Sequence, residues 1–292
     1  RIFCGNVTAR NQCLSLPQPL HAVPAVMRQL TYGFGGLWLA SISCCSARGP
    51  TDAARFLRET NISAALSVPF NGDKRRSIME QLRRAVVHVP EELEDTLHME
   101  FGVHEGDSLR FLSNLTGSRS PWHGFDSFVG LPEGAFGSWR KGTFDMKGRM
   151  PIVPGHVQLH AGWFNETLPS FLEAQRLVDT SCGVGFMNMD ADLYVSTIAV
   201  FDAVFSRCMH RRGTVISFDE LFGTAAILEH EWKALKEAQN KYGITFHFIS
   251  YAVTTSSFVR AAIQLDSCGP ACESECDTRN ARPNTKRNEG TH

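Results

Sequence analysis

From Leu97 onward, apolar runs of strand length alternate with stretches whose apolar residues recur at helical spacing. A strand ending at Val103 leads into a helix from near Ser108, carrying Leu109, Phe111, Leu112 and Leu115 on one face. A short strand follows at Trp122–Phe125, running into Asp126, then a strand at His156–Ala161 with a helix at Leu168–Leu177 behind it. Val184–Met189 predicts the next strand, followed by a helix over Ser196–Phe205. Thr214–Phe218 predicts another, with a helix from about Ile227 to Tyr242. Ile244–Tyr251 and Ser257–Leu265 alternate apolar and polar residues like a terminal antiparallel pair. Strands separated by helices of this length predict an α/β domain, its mostly parallel sheet covered by helices on both faces.

The flanks read differently. Residues 1–50 are irregular, with Pro17, Pro19 and Pro24 and no sustained period. Residues 51–96 carry helical patterns, first at Ala53, Ala54, Phe56 and Leu57, then at Ile78, Leu82, Val86 and Val87 beyond a polar break. Pro90 and the acidic run Glu91–Asp95 predict a surface connection into the main domain, residues 97–265. Gly130–Gly155, rich in Gly, Pro and Lys, is too long for a plain connection and reads as a functional loop. After Leu265 the sequence turns polar, and residues 266–292 are expected to be a disordered tail.

Composition changes this picture little. The 292 residues are 43% hydrophobic and 20% charged with a formal net charge of -1, which gives no electrostatic case for nucleic acid or an acidic membrane as partner. Leu30–Ala47 lacks charge but contains Gly33, Gly35, Gly36 and several serines, so a buried or irregular segment is favoured over a membrane anchor. The expected location is cytoplasmic, with an N-terminal anchor as the alternative; the oligomeric state, a homo-oligomer included, is left open. Nine cysteines, an odd number clustered at the ends, argue against a disulfide framework for the core. Cys182 and Cys208 read as core thiols, while Cys268, Cys272 and Cys276 fall in the polar tail at a spacing that fits no common zinc site. Sequons at Asn6, Asn61, Asn114 and Asn165 matter only if the chain enters the secretory pathway.

The candidate chemistry starts at His98–Ser108, where a buried strand meets a glycine turn and a helix start. Such a turn lets backbone approach a ligand and aims free helix N–H groups at it. The spacing Glu100-x-Gly102-x-x-x-Gly106 puts Glu105 where a dinucleotide site needs its third glycine, which disfavours a nicotinamide cofactor. Further acids fall at predicted strand ends: Asp126, the pair Asp190 and Asp192, and the pair Asp219 and Glu220. Ligands of open parallel sheets bind beyond those ends. Each acid alone could serve as a turn or helix cap. Converging carboxylates repel unless a cation or proton relieves them, and Mg²⁺ suits an all-oxygen set.

Five ordered motifs sharpen this reading. They are Glu100-Phe-Gly-Val-x-x-Gly-x-Ser108, His123-Gly-Phe-Asp-Ser-Phe-x-Gly-Leu-Pro-Glu133, Gly162-Trp-Phe-x-x-Thr-Leu-Pro169, Met189-Asp-Ala-Asp-Leu-Tyr-x-Ser-Thr197 and Phe218-Asp-Glu220. Over about Leu97–Leu265 the chain resembles the macrocin O-methyltransferase (TylF/MycF-like) family of class I S-adenosylmethionine-dependent methyltransferases. The resemblance implies a Rossmann-like seven-stranded sheet of order 3-2-1-4-5-7-6. It also implies O-methylation of a small-molecule hydroxyl, on a sugar or natural product, with divalent-metal assistance. Glu100, Gly102, Gly106 and Ser108 would then line the methionine end of the cofactor, Asp126 and Ser127 its ribose or adenosine, and Gly162, Trp163 and Phe164 its adenine. Asp190, Asp219 and Glu220 would hold the metal, and Asp192 would be the general base. His230 and Glu231 could reach the acceptor or cap their helix. The chain departs from the family at His104-Glu105, where Trp-Arg is usual, and at Asp219-Glu220, where Asp-Asp is usual. A non-catalytic Rossmann-like nucleoside-binding module is the alternative. A metal-dependent hydrolase is disfavoured, since neither a His-rich cluster nor a nucleophile elbow occurs.

Overall fold

The computed structural model describes residues 62, 65–68, 72–134, 138–179, 182–253 and 258–276. Eight strands form one sheet: β1 (Leu66–Val68), β2 (Leu97–Phe101), β3 (Trp122–Asp126), β4 (Val157–Ala161), β5 (Val184–Met189), β6 (His210–Gly223), β7 (Thr245–Val253) and β8 (Phe258–Ser267). Their spatial order is β1-β7-β8-β6-β5-β2-β3-β4. Seven of them reproduce the expected order 3-2-1-4-5-7-6, read as β4-β3-β2-β5-β6-β8-β7. β8 alone runs antiparallel, against β6 and β7. The eighth strand, β1, pairs parallel with β7 through only three residues, Leu66↔Ser250 to Val68↔Ala252. A strand that short leaves no period to read, and it lies where helix was expected.

Register explains the two cores. Phe101, Phe125, Met189 and Phe218 point to one face, where α3 (Phe164–Val178) and α4 (Tyr194–Phe205) cover them. Trp122, Phe186 and Val215 point to the other, beneath α1 (Lys74–Val86) and α2 (Asp107–Thr116). Because neighbouring residues of a strand face opposite ways, these buried strands are apolar on both faces. α1 begins at Asp73, whose side chain accepts a hydrogen bond from the Arg76 N–H.

Three elements differ from expectation. α3 starts at Phe164 rather than Leu168 and takes in Pro169, so Trp163 becomes its N-cap residue. The helix expected from Ile227 to Tyr242 is broken into α5 (Ala225–Leu228) and α6 (Glu231–Tyr242), because Glu231 turns into the core at the break. Disorder from residue 266 is also corrected for residues 266–276. β8 runs to Ser267, and a hook ending in α7 (Glu273–Cys276) is held by Cys208–Cys272 and Cys268–Cys276 disulfides. Cys208 is therefore not a free core thiol.

The expected irregular segment 1–50, the Leu30–Ala47 stretch, the helical pattern at 53–57 and the tail from residue 277 lie outside the described residues. Among the described residues no helix is long and apolar enough to cross a membrane.

Candidate active site

A cavity of about 670 Å³ opens over the C-terminal ends of β2, β3 and β5 and beside Asp219 and Glu220. Its size falls in the usual range for small-molecule sites. Gly102, Asp126, Ser127, Trp163, Phe164, Asp190, Asp192, Asp219 and Glu220 all line it. Residues from five separate stretches of sequence thus meet at one rim. Asp219 and Glu220 lie within β6 rather than closing it as expected, because β6 runs on to Gly223 past a register shift between Phe218 and Phe222. Glu100, Gly106, Ser108 and Gly162 do not line the cavity and act from behind its wall.

The glycine turn is shaped by its neighbours. Gly102 has φ +91°, and a Cβ there would run into the Asp190 carbonyl oxygen, where β2 and β5 part. Gly106, at φ +77°, starts α2, and its N–H donates to the Val103 carbonyl at 2.7 Å. Asp126 organises the turn from β3: its Oδ2 accepts from the N–H groups of Val103 and His104, each at 2.8 Å, and its Oδ1 from Phe128 at 2.7 Å. Ser127 donates to the Gly130 carbonyl at 3.0 Å and so fixes the start of the long loop. Gly162 donates its N–H to the Asp126 carbonyl at 2.9 Å, bringing Trp163 to the wall.

Beneath the turn, Glu100 is fully buried and accepts a hydrogen bond from Ser108 Oγ at 2.5 Å. Burial pushes its carboxyl up to about 8, opposed by that hydrogen bond and reinforced by the Asp190 charge.

The acids crowd the opposite rim. Burial raises Asp190, with the Arg260 charge opposing and Asp126 adding. Asp192 is raised well above the usual carboxylate range, by burial first and then by Asp190 and Glu220. Burial likewise pushes Glu220 up to about 8, with Asp190 adding. Asp192 also sits at φ +59°, a left-handed conformation that costs about 1–3 kcal/mol outside glycine and concentrates at functional sites.

Two charged residues behind this rim carry weight that the motifs did not assign. Glu231, 1% exposed, accepts from the Ala191 N–H through Oε1 at 3.4 Å and from the Glu220 N–H through Oε2 at 3.3 Å. It ties the acid-bearing end of β5 to the acid-bearing middle of β6. His230 Nδ1 accepts from the Tyr194 N–H at 3.3 Å. Neither residue lines the cavity and neither side chain caps α6: His230 meets the first residue of α4 and Glu231 meets the Ala191 and Glu220 amides. Arg260, on β8 and 3% exposed, forms an ion pair with Asp219; burial lowers its guanidinium to about 10, opposed by the charges of Asp190 and Glu100. Its one sequence signal is a lone arginine in the otherwise apolar run Phe258–Ile263.

The expected metal set does not fit this arrangement. Asp219 is committed to Arg260, whose guanidinium brings positive charge to the place where a cation would relieve the carboxylates. Among the described residues no three His, Cys, Asp or Glu side chains are grouped so as to hold a metal ion.

The long loop closes one side. Gly130, Leu131, Pro132, Trp139 and Phe144 line the cavity, with Trp139 edge-on to Phe144 at 5.0 Å and His104 edge-on to Phe144 at 5.6 Å.

Comparison with known structures finds similarity to CalS11, a calicheamicin methyltransferase, at 20% sequence identity and a TM-score of 0.46, over 78% of this chain and 90% of that chain. An O-methyltransferase from Bacillus cereus in complex with SAH is similar at 11% identity and a TM-score of 0.38, over 78% of this chain and 96% of that one. The O-methyltransferase TomG from Streptomyces achromogenes, in complex with SAM, is similar at 14% identity and a TM-score of 0.38, over 64% and 80%. No protein-family model matches the sequence. No curated protein matches it.

Proposed function

We propose that this chain transfers a methyl group from S-adenosylmethionine to a hydroxyl of a small molecule, and that Asp192 takes the proton. The observation that carries this reading is the single cavity that has the Gly102 turn on one wall and Asp190, Asp192 and Glu220 on another. The five motifs that resemble the macrocin O-methyltransferase family support oxygen as the acceptor atom and a sugar or natural product as its bearer.

The cradle suits the cofactor. Gly102 leaves its wall free of side chain, Trp163 and Phe164 offer aromatic surface, and the acids favour a sulfonium cation. Gly102, Asp126, Ser127, Trp163 and Phe164 would hold the cofactor. Asp126 does so mainly by fixing the turn, since three backbone N–H groups already occupy its carboxylate. Glu100, Gly106, Ser108 and Gly162 shape the wall from behind. S-adenosylmethionine supplies a methyl group already activated for displacement. What remains for the chain is alignment of an oxygen nucleophile and removal of its proton.

Asp192, on the cavity wall, would make that removal. Burial and the neighbouring Asp190 and Glu220 charges raise its proton affinity, which makes it a stronger proton acceptor. Glu231 positions it indirectly by fixing the Ala191 and Glu220 backbone. Divalent-metal assistance is not part of this reading, because Arg260 already neutralises Asp219. Trp139 and Phe144 face the acceptor side and would set its shape.

The test is Asp192→Asn, assayed for methyl transfer across sugars, phenols and catechols, with calorimetry for cofactor binding. The variant should bind S-adenosylhomocysteine like wild type and lose at least about 100-fold in turnover, the usual contribution of a general base. Turnover near wild type would remove the assignment. Cofactor binding without transfer by the wild type would favour the non-catalytic module.

A further inference from the structure

The hook that follows β8 is organised by sulfur. Among residues 268–276 the buried side chains are Cys268, Cys272 and Cys276, at 1%, 4% and 1% exposure. They form a small apolar cluster of their own, with Cys208 packed against it. Cys208–Cys272 spans a sequence separation of 64 with Cα atoms 5.3 Å apart, and Cys268–Cys276 spans 8 with Cα atoms 5.7 Å apart. Both separations lie within the range that a disulfide bridges without moving backbone. The hook is also tied to the body by a buried hydrogen bond between His210 Nε2 and the Cys268 carbonyl at 2.9 Å, by the close approach of Pro270 to Gly243, and by exposed ion pairs of Arg212 with Glu273 and Arg176 with Glu275. Such pairs hold little on their own. Cys208–Cys272 is the covalent link between this segment and the turn joining α4 to β6, and Cys268–Cys276 closes the hook on itself.

Paired structural cysteines persist in oxidising compartments and are rare where thiols are kept reduced. The chain also carries sequons at Asn114-Leu-Thr116 and Asn165-Glu-Thr167. Asn114 is exposed on α2 and is not among the residues that line the cavity. Asn165 lines the cavity itself, where a glycan would crowd the entrance. Cys182 has no disulfide partner and is partly buried, and burial pushes its thiol up, which keeps it unreactive.

We propose that this domain is built for an oxidising, secretory-type compartment, with Cys208–Cys272 and Cys268–Cys276 as structural disulfides and Asn114 as an N-glycan acceptor. The inference departs from the cytoplasmic location expected from composition and is independent of the proposed methyl transfer.

The test compares the full chain made in a reducing cytosol with the same chain routed through a eukaryotic secretory pathway. Both are alkylated before reduction and mapped by mass spectrometry. The secreted chain should yield the two cystine-linked peptides, and enzymatic deglycosylation should convert Asn114 to Asp. The cytosolic chain should alkylate at all four cysteines and lose the 268–276 hook to limited proteolysis. Asn114→Gln should be secreted with unchanged disulfides and lack that conversion. Equal protease resistance of the two products, with free thiols in the cytosolic one, would overturn the structural role of the disulfides. Paired cysteines beside an unmodified Asn114 would overturn the glycan assignment.

Discussion

Replacing Arg260 by Met keeps most of the side chain's length and removes its charge. In the wild type Arg260 is 3% exposed and faces Asp219, with Asp190 and Glu100 close enough to act on it. Removing one partner of a buried ion pair costs about 3–5 kcal/mol, because the other charge is left uncompensated. Asp219 keeps 23% of its side-chain surface, so water screens part of that cost and the lower end, about 3 kcal/mol, applies. For a domain of this size each kcal/mol moves the melting temperature by about 2–4 °C, so Arg260→Met should melt roughly 6–12 °C lower near neutral pH. The deficit should shrink on acidification, since protonated carboxyls no longer need the guanidinium. Asp219→Asn added to Arg260→Met should recover part of the loss. Thermal denaturation with Mg²⁺ or EDTA completes the assay, and neither should shift the wild type. A variant within about 1 kcal/mol of wild type, or a wild type stabilised by Mg²⁺ and destabilised by EDTA, would refute the assignment of Arg260 as the internal counter-ion.

Other consequences follow from the same site. Glu100 and Glu220 are both raised from 4.5 to about 8 in the folded chain, so the stability they contribute is fully present below about 4.5 and is lost as pH rises through about 8. Urea denaturation across that window should show Glu100→Gln flattening the decline by up to about 1.4 kcal/mol per pH unit. Gly102→Ala meets both a left-handed φ, a cost of about 1–2 kcal/mol, and the Asp190 carbonyl. It should weaken S-adenosylhomocysteine binding by calorimetry more than it lowers the melting temperature, and the reverse order would make Gly102 a purely structural residue.

The strands and the acids at the rim were legible because both depend on local pattern, whereas the sheet order was implied only by the family resemblance. A buried strand reads as an apolar run, and Asp190, Asp192, Asp219 and Glu220 stand where such runs stop. β1 escaped notice because three residues carry no period. Arg260 and Glu231 act through neighbours distant in sequence, Asp219 on another strand and the Ala191 and Glu220 amides, so only the folded chain brings their partners together. Asp126 was found, but its occupation by the Val103, His104 and Phe128 N–H groups depends on the path of the turn. The cysteine hook misled for a similar reason. Cys272 pairs with Cys208 at a separation of 64, which no spacing rule within the tail could suggest. The metal expectation followed from counting carboxylates without the cation that β8 delivers.

The most direct measurement is a calorimetric titration of S-adenosylmethionine and S-adenosylhomocysteine into the wild-type chain across a series of pH values. Both should bind with one site per chain. The sulfonium-bearing ligand should gain on the neutral one as pH rises through about 8 and the rim carboxyl of Glu220 ionises. No binding of either ligand, or a ratio that stays flat or falls as pH rises, would contradict a methyl-donor site facing these acids.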